Sequence, residues 1–362
     1  MVPMSPILPM ISVIVPVHNG PSDLKECLEA LQSWRTAGCE LIVVDDHSTD
    51  PVLKIAKHSG ALYFRTSKRE GPAGARNLGV SHATGEILVF IDADVVVSPS
   101  ALSVIREEFD RWPELAALFG SYDDEPRCTD FFSTFKNLFH YYVHQSSRPE
   151  AVTFWSGCGA IRRRAFEAVG GYNALLYPMA SVEDIELGHR LIQDGWEVRL
   201  IKHLQAKHLK RWTLRSLVRT DIFQRAIPWA QLILRTGYLP RDLNLTWPSR
   251  ASAALVAGMV ALAAAFIIIL TGLVKWPLAE IAVALVLTPS TLLLLNSPLY
   301  RLLWRKRGAK FACGAVLAHW AYLFYSGAAF VFCCVMELLR VPFRSATTGS
   351  ESKAFVETRL KE

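Results

Sequence analysis

The chain has 362 residues, of which 51% are hydrophobic, and a mean hydropathy of +0.23, which predicts a good-sized soluble domain joined to a more apolar part. The formal net charge is only +6, and no module combines basic with aromatic residues, which argues against nucleic-acid binding. The seven cysteines form no C-x-x-C pair and fit reduced thiols in a cytosolic domain and small apolar residues in membrane helices.

Strand and helix patterns alternate in the first part of the chain. Buried strands are predicted at Ile11–Val17, Glu40–Val44 and Ala61–Arg65, with a helix that begins with Ser22 as N-cap after the first strand. This alternation predicts an α/β fold with a parallel, doubly wound sheet whose ligand crevice lies at the carboxyl ends of the strands.

Polar residues follow the predicted strands at the points where such a crevice would lie. His18 comes after the first strand, and Asp45 and Asp46 come after the second. The glycine-rich stretch 71–79 follows the third strand; its small residues would let the backbone approach a ligand, and Arg76 could meet a phosphate. Neither G-x-G-x-x-G after the first strand nor G-x-x-x-x-G-K-[ST] occurs, which argues against dinucleotide and P-loop sites.

The central stretch is Glu86–Val97, EILVFIDADVVV. Its run of apolar, β-branched residues predicts a strand buried on both faces. Asp92 and Asp94 lie two apart at its carboxyl end, so their side chains should project to the same side of the chain. Two such carboxylates suit Mg²⁺ or Mn²⁺, which arrive with the phosphates of a substrate. A capping role for the two aspartates is the alternative.

The next part of the chain predicts more core elements: a helix at Pro99–Trp112, a strand at Leu115–Tyr122, a helix opened by Arg162–Arg164, and an edge strand at Trp196–Ile201. The aromatic-rich stretch Phe131–His144 is predicted to be helical, either as a packing helix or as an acceptor-binding surface. Glu183 and Asp184 start a further helix, where the helix dipole favours carboxylates, so a structural and a catalytic role are both open.

Basic, apolar and Trp residues recur at helical spacing in Lys207–Leu234, which predicts an interfacial helix or a helix packed on the soluble domain. Three membrane helices are predicted at Ala251–Val274, Trp276–Tyr300 and Phe311–Leu339, with a kink in the second at Pro289. Basic residues at 301–310 predict a cytoplasmic loop, whereas Lys275 is alone in the preceding loop. No signal peptide is expected in Met1–Met10. The N-terminal domain is therefore expected in the cytoplasm and the tail after Arg340 outside.

Six motifs occur in a fixed order: ISVIVPVHN, VVDDHSTD, GPAGARNLG, FIDADVVV, FWSGCGAIRRRAF followed by GGY, and VEDIELGHRL. Together they resemble a family 2 glycosyltransferase with the GT-A fold, from about Ile11 to Ile201. The membrane part resembles family members with a few C-terminal helices. The resulting division is a cytoplasmic GT-A domain at 1–205, amphipathic interfacial helices at 206–250, transmembrane helices at 251–340 and a polar tail at 341–362.

The resemblance implies inverting transfer from a nucleotide-diphosphate sugar, and it assigns roles residue by residue. Substrate-binding positions match Pro16, His18, Asp45, Asp46, Arg76 and Asp92. The metal site matches Asp92 and Asp94, with His208 as an added metal or diphosphate contact. Asp184 matches the general base, with Glu183 as its neighbour. The Q-x-x-R-W motif of processive members is absent: the corresponding stretch, Gln224–Trp229, has the wrong spacing, which puts long-chain polymerisation in doubt.

The chemistry explains these residue types. A cation stabilises the negative charge that develops on the leaving diphosphate, and a base takes the proton of the acceptor on the opposite face of the sugar. A hydroxyl acceptor needs such a base, whereas a polyprenyl phosphate does not. The Glu183–Asp184 pair therefore favours a hydroxyl on a lipid or lipid-linked glycan. A polyprenyl-phosphate glycosyltransferase and a non-catalytic nucleotide-sugar-binding subunit of a membrane assembly are the alternatives.

Overall fold

The computed structural model describes residues 10–271 and 278–339. An eight-stranded mixed sheet in the order β3-β2-β1-β4-β7-β6-β8-β5 forms the N-terminal part of the protein. Its strands are β1 Ile11–Val17, β2 Glu40–Asp45, β3 Leu62–Arg65, β4 Ile87–Ile91, β5 Val95–Val97, β6 Leu115–Tyr122, β7 Cys158–Arg162 and β8 Glu197–His208. The predicted bounds of β1 and of the strand that became β6 are confirmed.

Helices cover the two faces of this sheet. They are α1 Pro21–Ala30, α2 Gln32–Thr36, α3 Val52–His58, α4 Gly71–His82, α5 Ala101–Arg111, α7 Arg163–Ala168 and α8 Glu183–Gln193. One core cluster contains alternate residues of the central strands, such as Val13, Val15 and Val89, and the other contains their neighbours, such as Ile14 and Phe90. Both faces of each central strand are thus buried, which explains the continuous apolar runs in the sequence.

The predicted parallel, doubly wound sheet is confirmed in its first half and is mixed beyond it. Strands β1–β4 pair in parallel, and so do β6 and β8, whereas β7 runs antiparallel to β4 and β6. The prediction of an edge strand at Trp196–Ile201 was wrong. Strand β8 continues to His208 and lies between β6 and the short antiparallel β5.

The prediction of Ser22 as an N-cap was also wrong. Helix α1 begins at Pro21, and its N-cap is Gly20, which has a left-handed φ of 71° and provides no side-chain cap. Proline suits this first helical position because its missing N–H would have no partner within the helix in any case. The helix itself carries the predicted apolar face, with Leu24, Cys27 and Leu28 buried.

The chain divides into two compact units, and the division differs from the predicted domains. The described part of the first unit consists of the chain up to Arg127 together with Arg148–Lys210. The second consists of Cys128–Ser147 and the chain from Arg211 onward. Helix α6, Phe131–Ser146, therefore belongs with the C-terminal helices, although the sequence analysis placed it in the N-terminal domain. Within the second unit its Phe135, Leu138 and Phe139 pack in one core with residues of the last helix.

The segment predicted as one interfacial helix is divided into several pieces. It follows β8 as α9 Leu214–Thr220, a π-helix at Asp221–Ala226 and α10 Ile227–Thr236, with a short 3₁₀ turn at Leu243–Leu245. Its helical part begins at Leu214 and not at Lys207, because the preceding residues extend strand β8. Leu214 and Phe223 are exposed, whereas Leu217 is buried in the core of this unit.

Three helices in the described residues are long and apolar enough to cross a membrane: α11 Trp247–Leu270, α12 Leu278–Leu295 and α13 Ser297–Leu338. Pro289 lies inside α12, as predicted from the sequence. The expected basic loop at 301–310 is instead the first part of α13, interrupted only at Gly308, where φ is +80°. The predictions for Met1–Pro9, for the loop that contains Lys275 and for the tail after Leu339 lie outside the described residues.

Candidate active site

Asp92 and Asp94 lie in the short turn between β4 and β5, at the carboxyl end of the central strand. Their side chains are about one-third exposed, at 33% and 32%. Backbone hydrogen bonds fix this turn, because Val95 N–H donates to Asp92 C=O over 3.0 Å and Leu209 N–H donates to Asp94 C=O over 2.9 Å. The two carboxylates contact different partners: Asp92 pairs with an arginine of α4, and Asp94 faces a histidine of β8.

That histidine is His208, the last residue of β8. Its register partner is Val95 of β5, so the pairing of these two strands brings His208 beside Asp94. The imidazole Nε2 lies 3.6 Å from Asp94 Oδ2, and the ring stacks on Tyr122 with centroids 4.3 Å apart. Burial acts to raise the pKa of Asp94, but hydrogen bonding with His208 and the nearby charge of Lys210 hold it below its usual value. Asp94 is therefore anionic at neutral pH.

Arg76 connects the predicted metal site with the predicted base motif. Its guanidinium is buried, at 4% exposure, and its Nη2 donates to Asp92 Oδ1 over 2.7 Å while its Nη1 donates to Glu183 Oε1 over 3.0 Å. It also lies 5.4 Å from the centre of the Tyr172 ring. Arg76 was predicted to lie beside a diphosphate; in the structure it pairs with two carboxylates of the protein.

Glu183 and Asp184 form the first turn of α8, as predicted, and their carboxylates have different surroundings. Glu183 is buried, and besides Arg76 it accepts a hydrogen bond from Ser181 N–H over 2.8 Å. Asp184 accepts from Ser156 N–H over 3.3 Å and from Ile185 N–H over 2.8 Å. Burial and the neighbouring charge of Glu183 raise the pKa of Asp184 to about 7, although Arg76 and the two backbone donors act in the opposite direction.

Asp45, the last residue of β2, and Asp46, which follows it, are buried and accept hydrogen bonds from the protein itself. Asp45 accepts from Ser48 N–H over 2.7 Å and from the Tyr63 hydroxyl over 2.6 Å. Although burial opposes it, hydrogen bonding to Ser48 and Tyr63 keeps the pKa of Asp45 low. Asp46 accepts from Glu70 N–H over 2.7 Å and from Gly71 N–H over 2.9 Å, so it holds the start of α4.

Pro16 and His18 lie next to these acids. Pro16 is buried in β1, opposite Val44 of β2, and the exposed His18 contacts Asp46 C=O through its Nδ1 at 2.8 Å. Contact with a nucleobase or ribose at Pro16, His18, Asp45 and Asp46 stays a prediction.

Gly71 and Gly79, in the glycine-rich stretch 71–79, pack closely against other parts of the protein. A Cβ on Gly71 would lie 2.5 Å from Pro178 C=O, and one on Gly79 would lie 2.5 Å from Ile14 Cγ2. Protein atoms therefore occupy the space beside these two glycines. They allow α4 to pack closely on β1 and on the loop before α8, which sets the position of Arg76.

Sequence reasoning gave no role to two side chains that fix this arrangement. The Asn77 side chain donates to Tyr172 C=O over 2.8 Å and accepts from Tyr172 N–H over 3.0 Å. The Tyr172 hydroxyl lies 2.8 Å from the Ser156 hydroxyl, and its ring lies beneath Arg76. Asn77 lies in the motif GPAGARNLG and Tyr172 lies in GGY. These two motifs were the sequence signal from which a role for both residues could have been predicted.

A metal site was tested against the residues that surround Asp94. In the described ranges, no group of three or more His, Cys, Asp or Glu side chains is arranged to hold an ion. Asp94 and His208 supply one carboxylate and one imidazole at close range, and Asp92 adds a second carboxylate two residues away in the same turn. Such a donor set fits a divalent cation whose remaining ligands come from a substrate phosphate and water.

The sequence model of glycosyl transferase family 2 matches residues 12–170. This stretch contains β1 to β7, with the Asp92–Asp94 turn and Arg76. Residues 12–170 of this chain therefore resemble glycosyl transferase family 2. The matched part ends before α8 and His208, so the family assignment by itself gives no role to Glu183, Asp184 or His208.

Known proteins agree with this assignment. The uncharacterized glycosyltransferase YibD of Escherichia coli is 35% identical over 94 residues, which cover 25% of this chain and 27% of that protein. The pre-mycofactocin glycosyltransferase of Mycobacterium tuberculosis is 27% identical over 227 residues, 57% of this chain and 45% of that protein. The chain thus spans less than half the length of these relatives.

One solved structure resembles the chain over most of its length. It is the mannosyltransferase PcManGT from Pyrobaculum calidifontis, solved in complex with GDP-Man and Mn²⁺. Its TM-score is 0.60 at 22% identity, and the likeness covers 90% of this chain and 87% of that one. At this level of identity the likeness shows the fold, including the succession of an α/β unit and C-terminal helices.

Proposed function

We propose that this protein is a membrane-bound, inverting glycosyltransferase that uses a nucleotide-diphosphate sugar and a hydroxyl acceptor on a lipid or lipid-linked glycan. The observation that carries the proposal is the surroundings of Asp184. Its carboxyl has a pKa of about 7, and a buried Arg76–Glu183 pair connects its motif to the Asp92–Asp94 turn. A carboxyl that titrates near neutral pH is suited to accept a proton at physiological pH.

The bond changes assign one task to each part of the site. The acceptor oxygen attacks the anomeric carbon, its proton passes to an Asp184 carboxylate oxygen, and the bond from that carbon to the diphosphate oxygen breaks. The bonding electrons leave with the nucleoside diphosphate. Asp92, Asp94 and His208 would hold a divalent cation, Mn²⁺ or Mg²⁺, which when bound would neutralise the charge that develops on the diphosphate.

The location of the acceptor is inferred from the C-terminal unit. Three helices long and apolar enough to cross a bilayer, α11, α12 and α13, give the chain a means of staying in the membrane. An enzyme anchored in this way meets acceptors that are themselves anchored by lipid. The basic residues at 301–310, in the first part of α13, support a cytoplasmic position of the N-terminal unit under the positive-inside rule.

The test is a donor panel on the purified full chain in lipid nanodiscs. UDP-, GDP- and TDP-linked sugars are supplied with Mn²⁺ or with EDTA, and release of each nucleoside diphosphate is measured. The panel is run with a lipid-linked glycan or a polyprenyl phosphate as acceptor. We expect one donor class to react with the glycan in Mn²⁺ and not in EDTA. No release from any donor would refute the proposal.

A matched pair of variants tests the base. Asp184→Asn removes the carboxylate at the start of α8, whereas Asp194→Asn removes an exposed carboxylate at the end of the same helix. The first should abolish transfer to the hydroxyl acceptor, and the second should leave it unchanged. Transfer to polyprenyl phosphate that survives in Asp184→Asn would instead assign the protein to that acceptor, which needs no base.

A further inference from the structure

The buried guanidinium of Arg76 contacts two carboxylates that are far apart in sequence. Its two η nitrogens are divided between them: Nη2 lies 2.7 Å from Asp92 and Nη1 lies 3.0 Å from Glu183. These partners are 16 and 107 positions away in the chain. A guanidinium is planar and its donors point in fixed directions, so one orientation of Arg76 fixes the positions of both carboxylates.

The position of the guanidinium is itself determined by neighbouring contacts. Asn77, the next residue of α4, forms hydrogen bonds with both the N–H and the C=O of Tyr172, and the Tyr172 ring lies beneath Arg76. With 4% of its side chain exposed, Arg76 would have to leave a carboxylate behind in a buried site in order to reach a diphosphate. A direct role in donor binding is therefore disfavoured by the geometry.

Glu183, like Arg76, uses polar side-chain atoms in contacts within the protein. One carboxylate oxygen accepts from Arg76 and the other accepts from Ser181 N–H, and the residue is 5% exposed. Asp184, the adjacent residue, accepts hydrogen bonds only from backbone N–H groups among those described, at Ser156 and Ile185. The two acids of the pair therefore differ in availability: Glu183 faces Arg76, and Asp184 is the one left for a substrate.

We propose that Arg76 and Glu183 are positioning residues. Glu183 neutralises part of the charge of Arg76, and this leaves Asp92 available to a cation. This inference rests on the proposed function, because it assigns Asp92 to the donor side and Asp184 to the acceptor side. Arg76 neutralises part of the charge of each partner. When Glu183 loses its charge, Asp92 becomes the only ionised carboxylate paired with Arg76, and a cation must then compete with a stronger ion pair for it.

The first test measures Mn²⁺ binding by electron paramagnetic resonance on the full chain in detergent, without any donor. Glu183→Gln should raise the Kd for Mn²⁺ at least fivefold. The matched control is Glu186→Gln, one turn further along α8, which removes a carboxylate from the buried Arg190 pair at 2.7 Å but has no contact with Arg76 among those described. It should leave the Kd within twofold. An unchanged Kd in Glu183→Gln would overturn the proposal.

A second measurement needs neither a metal nor a donor. The folded protein keeps the proton of Asp184 up to about pH 7, whereas an unfolded aspartate loses it at about pH 4, so the contribution of this group to stability is lost as the pH rises from about 4 to about 7. Removing the charge of Glu183 should move this loss to lower pH, whereas Glu186→Gln should not move it. The Tm of the three proteins is recorded between pH 5 and pH 8.5. Identical curves for Glu183→Gln and the unchanged protein would refute an electrostatic role of Glu183 in this site.

The two tests separate this inference from the proposed function. If the unchanged protein binds no Mn²⁺, the metal part of the proposed function fails, and the Tm curves alone decide whether Glu183 and Arg76 act on Asp184. Mn²⁺ binding that is weakened by Glu183→Gln, together with a donor panel that shows no transfer, would support the positioning role of Arg76 and Glu183 in a protein whose activity is of another kind.

Discussion

The pH dependence of transfer follows directly from the surroundings of Asp184. Its carboxyl titrates at about 7 because burial and the adjacent Glu183 both disfavour the charged form. A base must be ionised to accept a proton, so kcat/KM should rise with pH through this value. With a pKa of about 7, roughly one molecule in ten is ionised at pH 6 and about nine in ten at pH 8, so activity should fall about tenfold per unit below pH 7.

The assay is the initial rate of nucleoside diphosphate release at low acceptor concentration, at constant ionic strength, from pH 5.5 to pH 8.5. An exposed aspartate with an ordinary pKa near 3.9 would give a flat profile over this range. Asp194→Asn should reproduce the sloping profile, and Asp184→Asn should reduce kcat about 10²- to 10⁴-fold, the usual contribution of general base catalysis. A flat profile in the unchanged protein would refute Asp184 as the base.

Three further predictions follow from other contacts. His208→Ala should raise the Kd for Mn²⁺, measured by electron paramagnetic resonance, about 10-fold or more. The control is His203→Ala, which removes an exposed histidine of the same strand and should leave this Kd unchanged. Asp221→Asn should destabilise the protein by about 3–5 kcal/mol, as measured by urea unfolding. The reason is that the buried Lys136, 2.6 Å away, loses its counter-charge. Adding Lys136→Met to the same chain should recover much of this loss. Gly188→Ala should lower the Tm, at a cost of about 1–3 kcal/mol, because its Cβ would lie 2.3 Å from Phe154 N.

The elements of the N-terminal unit could be predicted because their signals are local. A continuous apolar run such as Ile87–Ile91 requires burial on both faces, and acids directly after it must lie at the end of the strand. Asp92, Asp94, Glu183 and Asp184 were therefore located correctly relative to their strand or helix. Each of these predictions depends on fewer than about ten consecutive residues.

Strand order could not be predicted in the same way. The WEVRLI pattern ends at Ile201, but β8 continues for seven more residues because its second half pairs with β5 and β6. The segment Lys202–His208 lacks a continuous apolar run: only Leu204 and Ala206 are apolar, and polar residues alternate with them. His208 is brought to Asp94 through this pairing, which explains why a role for His208 could be argued from its position alone.

The division into units depends on contacts at long range. Phe131–Ser146 has the composition of a packing helix, and its sequence does not say which surface it packs on. Its aromatic residues share a core with Leu299 and Leu303 of α13, and its Lys136 pairs with Asp221 of the π-helix. These contacts agree with the first of the two alternatives for this segment, a packing helix. The second, an acceptor-binding surface, stays a prediction.

The choice of partner for Arg76 shows most clearly why function could be only partly predicted. An arginine at the start of a glycine-rich helix suits a phosphate or a carboxylate equally well, and only the fold decides which is within reach. Asp92, Asp94, Glu183 and Asp184 carry four negative charges when ionised, and Arg76 is paired with only two of them. Burial and the adjacent charge of Glu183 account for an Asp184 carboxyl that retains its proton until about pH 7. The surplus of negative charge supports the proposed need of a divalent cation before an anionic diphosphate can bind.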